Sequence, residues 1–538
     1  MKKGVYIHPI VYAVLPSIIL YSHNIREAWP ISLLWPVIYS LLLAFVSWLV
    51  FLLFLRKPEK ASILTSVWLI IFFSYGHAFL LLAQKGFFEF LPIGPHFFLL
   101  SVSVGLVLFV YFGLLFYKKS LEIATTFFTV ASVTLFLLNT LPLLPFEFKR
   151  IVALQKLETY IEQQDLSTKT YTNTDTASYP DIYYFVFDRY PNQTIAKEYF
   201  EHDTTDFTQS LEEDGFYIAT QSAANYPSSY QSISSALNMT HLTFLNDLLG
   251  QDYADQTVVY KTMLDTAQVP KFLLAKGYEY HHLGSNWEPT KQSTHATKNY
   301  NLFLDFNEFE SFLYENTFAN AFLGKIRGES VFTGVEILKI HQENIPHKIN
   351  TVKQLVTQES PKYVFGHFLL PHPPYLFDQN CAPLTFEAVR KRPDNMAYID
   401  QVDCASKTMQ EFAQAILENH RSNVQNRPVV IIFQSDEGPY LPLEYFNDTQ
   451  HLTSENNDAY KIHSRILNAI YMSDTTDATQ SANYEVHNFT RQQTPVNTFR
   501  LVFNYYFGTE FELLQNTTHV FESNEKPYHF TDITELVW

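Results

Sequence analysis

Five apolar runs open the chain, at roughly 4–22, 31–55, 61–83, 97–117 and 121–144. Each approaches the ~20 residues that a helix needs to cross a bilayer. The second, ISLLWPVIYSLLLAFVSWLVFLLFL, contains no charged residue. A helix of that length in a water-soluble domain would show a polar face, and this one has none. The runs therefore predict a five-helix transmembrane domain over residues 1–148. The first run is the weakest, because His8 and Pro9 interrupt its start. No small-residue cleavage site follows it and four more spans do, so it reads as a span rather than a signal peptide.

Charge divides the chain at the same place. Overall there are 37 Lys and Arg against 54 Asp and Glu, net −17. Residues 1–150 hold eleven basic and five acidic side chains, so the remaining 388 residues are strongly acidic. A chain with that balance is a poor partner for nucleic acid. Lys2, Lys3, Arg56, Lys57, Lys60, Lys118 and Lys119 fall on one side of the five spans, with only Arg26 and Lys85 in the loops opposite. Basic loops stay in the cytoplasm. The amino terminus is thus expected inside and everything after residue 145 outside. His77, in the third run, reads as a packing or interfacial residue.

A junction follows. Ile151, Leu154, Leu157 and Ile161 share one helical face, which predicts an amphipathic helix. The stretch DLSTKTYTNTDTASYP that comes next reads as a linker. Residues 149–179 are therefore a helix and linker, and residues 180–538 an outer domain.

In that domain two continuous apolar runs end in acid. DIYYFVF is closed by Asp188, and VVIIF runs into Ser435, Asp436 and Glu437. Such runs imply burial on both faces of a sheet, as in a parallel sheet between helices. KYVFGHFLL at 362–370 and RILNAIYM at 465–472 are further strand candidates, separated by helical patterns, so an α/β sandwich is expected. Ligands of such sheets gather at the carboxyl ends of the strands. Acids at those ends pay a desolvation cost unless a cation or donors meet them; each alone would be read as a cap, the pair as metal ligands. AANYPSSYQSISSALNM places Ser228 and Ser229 at the start of a helix, where an anion is favoured. Either serine is an N-cap or a nucleophile. His372 stands among Pro371, Pro373 and Pro374 just past a strand, a position suited to substrate binding or acid catalysis.

Taken together, these residues resemble the sulfatase-like branch of the alkaline phosphatase superfamily. The layout is similar to lipoteichoic acid synthases and lipid A phosphoethanolamine transferases. The strings that carry the likeness run from Asn225–Pro227 through Met239, then Leu370–Pro374, Ser435–Pro439 and Pro495–Arg500. The resemblance implies an alkaline-phosphatase/sulfatase-like α/β sandwich and a divalent metal (Mn, Mg or Zn) held by Asp188, Asp436 and Glu437. It implies Ser229 as nucleophile, His372 at the substrate or leaving group, and His463 or Arg465 facing the anion. Glu437 stands where active transferases carry histidine. Glutamate ligates through oxygen, and an all-oxygen set shifts preference from zinc towards magnesium or manganese. No Pro and Arg follow Ser228 and Ser229 as formylglycine formation requires, so sulfate-ester hydrolysis by that route is not expected. The implied role is phospho-group transfer or hydrolysis on a membrane lipid or envelope glycan, in a bacterial inner membrane with an extracytoplasmic domain. The alternative is the same fold with a decayed site, used for binding or scaffolding. The only cysteines, Cys381 and Cys404, fall outside the membrane by the topology reading, where a disulfide is permitted.

Overall fold

The computed structural model describes residues 6–538 apart from 91, 167–178, 303–307, 328–334, 359–360, 423–426, 440–456, 476 and 479. It divides into two compact units. One comprises Met1–Ile151 with Leu304–Ile337, the other Val152–Phe303 with Leu338–Trp538. Residues 304–337, which fall within the outer domain expected over 180–538, group with the amino-terminal helices.

The first unit is helical. It contains α1 (His8–His23), α2 (Leu34–Leu55), α3 (Pro58–Gln84), α4 (Pro95–Phe116) and α5 (Glu122–Thr140). A sixth helix, α6 (Leu143–Gln163), continues into the second unit. Four stretches among the described residues are long and apolar enough to cross a membrane: Pro30–Leu55, Pro58–Gln84, Pro95–Phe116 and Glu122–Gln163. The first apolar run is also a helix, of 16 residues, about 24 Å long at 1.5 Å per residue. Leu53, Phe109 and Ile123 are 76, 77 and 87% exposed. An apolar surface of that kind suits lipid. His77 lies on an exposed face of α3.

The expected amphipathic helix is the second half of α6. Ala153, Leu157 and Ile161 are buried in a core of the second unit, with Leu154 partly buried beside them. Ile151 is exposed instead. Most of the expected linker, 167–178, lies outside the described residues.

The second unit is built on one seven-stranded sheet. Its strands are β1 (Asp181–Phe187), β2 (Tyr217–Ile218), β3 (Glu279–Leu283), β4 (Lys298–Asn299), β5 (Lys362–Phe368), β6 (Val429–Gln434) and β7 (Asn468–Met472), in the order β2-β7-β6-β1-β5-β3-β4. The block from β6 to β4 is parallel. β7 pairs antiparallel with β6, and β2 antiparallel with β7. The sheet is mixed rather than wholly parallel, because an apolar run reports burial and not direction. β1 shows why the run is continuous. Ile182, Tyr184 and Val186 enter one core, and Tyr183, Phe185 and Phe187 enter the core on the other face. Each such side chain contributes about 1.5–3 kcal/mol when fully buried. At the opposite end of the sheet from the acids, Lys362 pairs with Asp181 at 2.9 Å. Cys381 and Cys404 are joined by a disulfide.

Candidate metal centre and nucleophile

The site is assembled at the carboxyl ends of three adjacent strands, β5, β1 and β6. Val186 of β1 lies opposite His367 on one side and Gln434 on the other. Asp188 is the first residue past β1, and its N–H donates to the Phe368 carbonyl at 2.9 Å. Arg189 follows in the left-handed region, φ 66°, at a cost of about 1–2 kcal/mol. The Tyr190 N–H then donates to Ser435 Oγ at 2.9 Å. Past β6, the N–H groups of Glu437 and Arg189 donate to Asp436 Oδ1 at 2.9 and 3.3 Å. Gly438 lets this strand end approach the next turn, since a Cβ there would lie 2.1 Å from the Ile462 carbonyl oxygen.

Asp188, His367 and Asp436 converge. Each offers one ligand atom, and these atoms lie within 4.8 Å of one another. All three residues are buried, and Asp188 Oδ1, His367 Nε2 and Asp436 Oδ2 have no hydrogen-bond partner. Buried polar atoms without partners are costly. Three at one place, two of them from carboxylates, fit a divalent cation. The donor set is oxygen, nitrogen and oxygen, and its imidazole suits zinc or manganese better than the all-oxygen preference of magnesium. Behind the imidazole, His367 Nδ1 lies 2.7 Å from Thr290 Oγ1, which in turn lies 2.7 Å from Ser285 Oγ. This partner fixes the ring and leaves Nε2 as the ligand atom.

The charges in the site act on one another. Burial works to raise Asp188, but the neighbouring His372, His367 and Arg189 outweigh it and hold that carboxyl below its usual range. Burial raises Asp436, and the Asp188 and Glu437 charges add to it. Burial also raises Glu437 against the pull of Arg189. Acids so close together do not all ionise without a compensating cation.

Ser229 is the first residue of the helix Ser229–Asn238, with Ser228 as its N-cap residue. Its hydroxyl lies close enough to Asp436 to favour the ionised form of that carboxyl. The helix is held at both ends by the helix Pro495–Phe507. Asn225 Oδ1, just before it, accepts from the Val496 N–H at 2.9 Å. Arg500 Nε and one Nη donate to the Met239 carbonyl, just past it, at 2.9 and 2.7 Å. The Asn225–Met239 and Pro495–Arg500 strings are therefore two halves of one clamp.

The remaining predicted residues divide. Glu437 is adjacent but stands outside the converging three: Arg189 Nη donates to its Oε1 at 2.6 Å. Of the expected set of Asp188, Asp436 and Glu437, the first two converge, and they do so with His367. His463 Nε2 faces Glu437 Oε2 at 3.8 Å, and its Nδ1 bonds the Pro439 carbonyl at 3.2 Å. Burial lowers His463 to a pKa of about 4, so it is neutral at pH 7. His372 is close enough to Asp188 for its charge to be felt there, although burial lowers its own pKa; its Nδ1 bonds the Pro373 carbonyl. Arg465 does not face the site. Its Nε and Nη donate to the Val537 carbonyl at 3.0 and 2.8 Å. Sequence reasoning missed His367, Arg189 and Thr290. The one available signal for His367 was an imidazole inside an otherwise apolar strand.

No family model matches the chain, and no curated protein matches it. Solved structures are similar to it. The periplasmic domain of EcEptC from Escherichia coli, in complex with zinc, shares 12% identity at a TM-score of 0.42, covering 66% of this chain and 94% of that one. The integral membrane lipooligosaccharide phosphoethanolamine transferase A from Neisseria meningitidis shares 11% at 0.36, covering 93% and 94%. A 2-O GAG sulfatase shares 11% at 0.37, covering 62% and 72%. At such identities and TM-scores, function has to be read from the geometry of the site itself.

Proposed function

We propose that this chain is a membrane-anchored, metal-dependent phospho-group transferase or hydrolase of the alkaline phosphatase superfamily, acting on a lipid or glycan of the cell envelope. One observation carries the reading. Three buried donors with unpartnered atoms converge at the ends of adjacent strands, beside a helix-terminal hydroxyl that acts on the charge of one of them. Asp188, His367 and Asp436 would hold the cation. A bound divalent cation supplies charge neutralisation and polarises a phosphoryl oxygen.

The chain's own residues do the rest. Ser229 Oγ forms a bond to phosphorus and gives its proton to His372 Nε2, the ring nitrogen that can accept because Nδ1 bonds the Pro373 carbonyl. The phosphorus–oxygen bond to the leaving alcohol breaks, and His372 returns a proton to that oxygen. The helix N-terminus at Ser229 favours the developing negative charge. Water or a second alcohol then attacks the phosphoserine and frees Ser229. The anchor keeps the site among lipid-borne donors, with the second unit on the extracytoplasmic side. A second reading, in which the fold binds without turnover, draws on the Arg189–Glu437 pair, an internal cation beside the acids. Incubating the full chain with manganese or zinc and total envelope lipid, then mapping phosphorylation by mass spectrometry, tests the proposal. A phospho group on Ser229 supports turnover. Metal binding with Ser229 unmodified at every time point favours the second reading.

A further inference from the structure

The segment that joins the membrane helices to form the first unit has a surface of its own. Residues 304–337 belong to that unit and contain two short helices, Glu308–Glu315 and Phe318–Arg327. The turn between them meets α3 closely. The Gly76 N–H donates to the Asn316 carbonyl at 2.8 Å. A Cβ at position 76 would lie 2.6 Å from Asn316 Oδ1 and 2.7 Å from its Cα, so glycine permits the approach. Phe318 is buried edge-on against Trp68 and Tyr75, at 5.2 and 5.8 Å between ring centres.

These contacts give the turn a depth. Gly76 precedes the end of α3 at Gln84 by eight residues, and Trp68 by sixteen. At 1.5 Å per residue these are about 12 and 24 Å along the helix. The Tyr75 hydroxyl bonds His96 Nδ1 at 3.1 Å, in the first turn of α4. By the charge of the loops, both helix ends lie on the outer side. The turn therefore meets the outer half of α3, and Phe318 reaches towards the middle of that helix. Two aromatic side chains of the segment stay open: Phe312 is 53% and Phe322 45% exposed. They share that outer side with Trp35, Phe97 and Leu138, which are exposed at the outer ends of α2, α4 and α5. Exposed Glu315 and half-exposed Asn316 lie between them. Aromatic side chains mixed with polar ones are the composition of a membrane–water interface.

We propose that residues 308–327 form an interfacial hairpin of the membrane unit, with Phe312 and Phe322 seated in the outer leaflet at the boundary of headgroups and acyl chains. The chain then passes between its two units three times, after residues 151, 303 and 337, rather than once. This does not depend on the chemistry proposed above.

The test uses the full chain in phosphatidylethanolamine–phosphatidylglycerol nanodiscs. Both native cysteines are in a disulfide, so a single introduced thiol takes the label without reduction. Bimane is placed by Phe312→Cys, by Phe322→Cys and, as a water-facing control, by Glu485→Cys. All three positions are exposed. Lipid carrying a doxyl quencher near the headgroup should lower emission at 312 and 322 by about twofold or more, as expected for side chains at the acyl boundary, and leave 485 unchanged. Quenching at 312 and 322 no greater than at 485 overturns the proposal. So does bimane shielding that appears only as the chain self-associates, which would seat a second copy on this face instead.

Discussion

Thr290→Val removes one hydroxyl while keeping the shape of a buried side chain. Thr290 is 3% exposed, and its Oγ1 links His367 Nδ1 to Ser285 Oγ at 2.7 Å on each side. The substitution leaves the His367 ring without the partner that fixes its tautomer and orientation. Losing such an outer partner costs about 10–100-fold in metal affinity, which is about 1.4–2.7 kcal/mol. A buried imidazole N–H left unsatisfied adds about 1–3 kcal/mol to the loss of apo-protein stability. The two effects separate in one assay. Detergent-solubilised wild type and variant are melted without metal and with increasing zinc or manganese. The apo variant should melt lower, and its curve should need about 10–100-fold more metal for the same upward shift. A folded Thr290→Val variant whose metal response matches wild type within about twofold would refute the role of His367 as a ligand held from behind.

Other outcomes follow from the same geometry. Ser229→Ala should bind metal as wild type does and show no phosphorylated peptide, checked by metal titration beside phosphopeptide mapping. Arg500→Ala removes charged hydrogen bonds to the carbonyl that ends the Ser229–Asn238 helix. It should cost about 1.5–3 kcal/mol in thermal unfolding and slow Ser229 modification more than it weakens metal binding. His282, buried between Tyr280 and the Thr290 carbonyl, has its pKa lowered to about 4 by desolvation. The unfolded imidazole titrates near 6.5. The unfolded state therefore takes up the proton first, so this contribution is complete above pH 6.5 and lost as pH falls towards 4. It amounts to up to about 3 kcal/mol. His282→Gln should flatten that part of the stability–pH curve, measured by thermal unfolding across the window.

Much of the fold was legible because burial writes itself into composition. β1 reads as a continuous apolar run because alternate side chains enter two different cores. Asp188 and Asp436 stood out as acids at the ends of such runs. The same logic concealed His367, since one imidazole in an apolar strand looks like core until the register sets it opposite Val186, two residues before Asp188. Strand direction was not legible in β7, because antiparallel and parallel strands buried on both faces have the same composition. The Arg465 partner was not legible, because the Val537 carbonyl that its guanidinium meets is 72 residues away along the chain. Glu437 looked like a ligand because nothing local showed that Arg189 would take its carboxylate. The hairpin at 308–327 was not legible either, since an amphipathic helix has the same pattern whether its apolar face meets a sheet or α3.

The most direct test of the account is the metal content of the purified full chain, measured by mass spectrometry beside His367→Ala and Glu437→Gln. The account predicts about one divalent ion per chain, lost in His367→Ala and retained in Glu437→Gln, where Arg189 and not the metal holds the carboxylate. No bound metal after reconstitution, or metal that survives His367→Ala and leaves with Glu437→Gln, would contradict it.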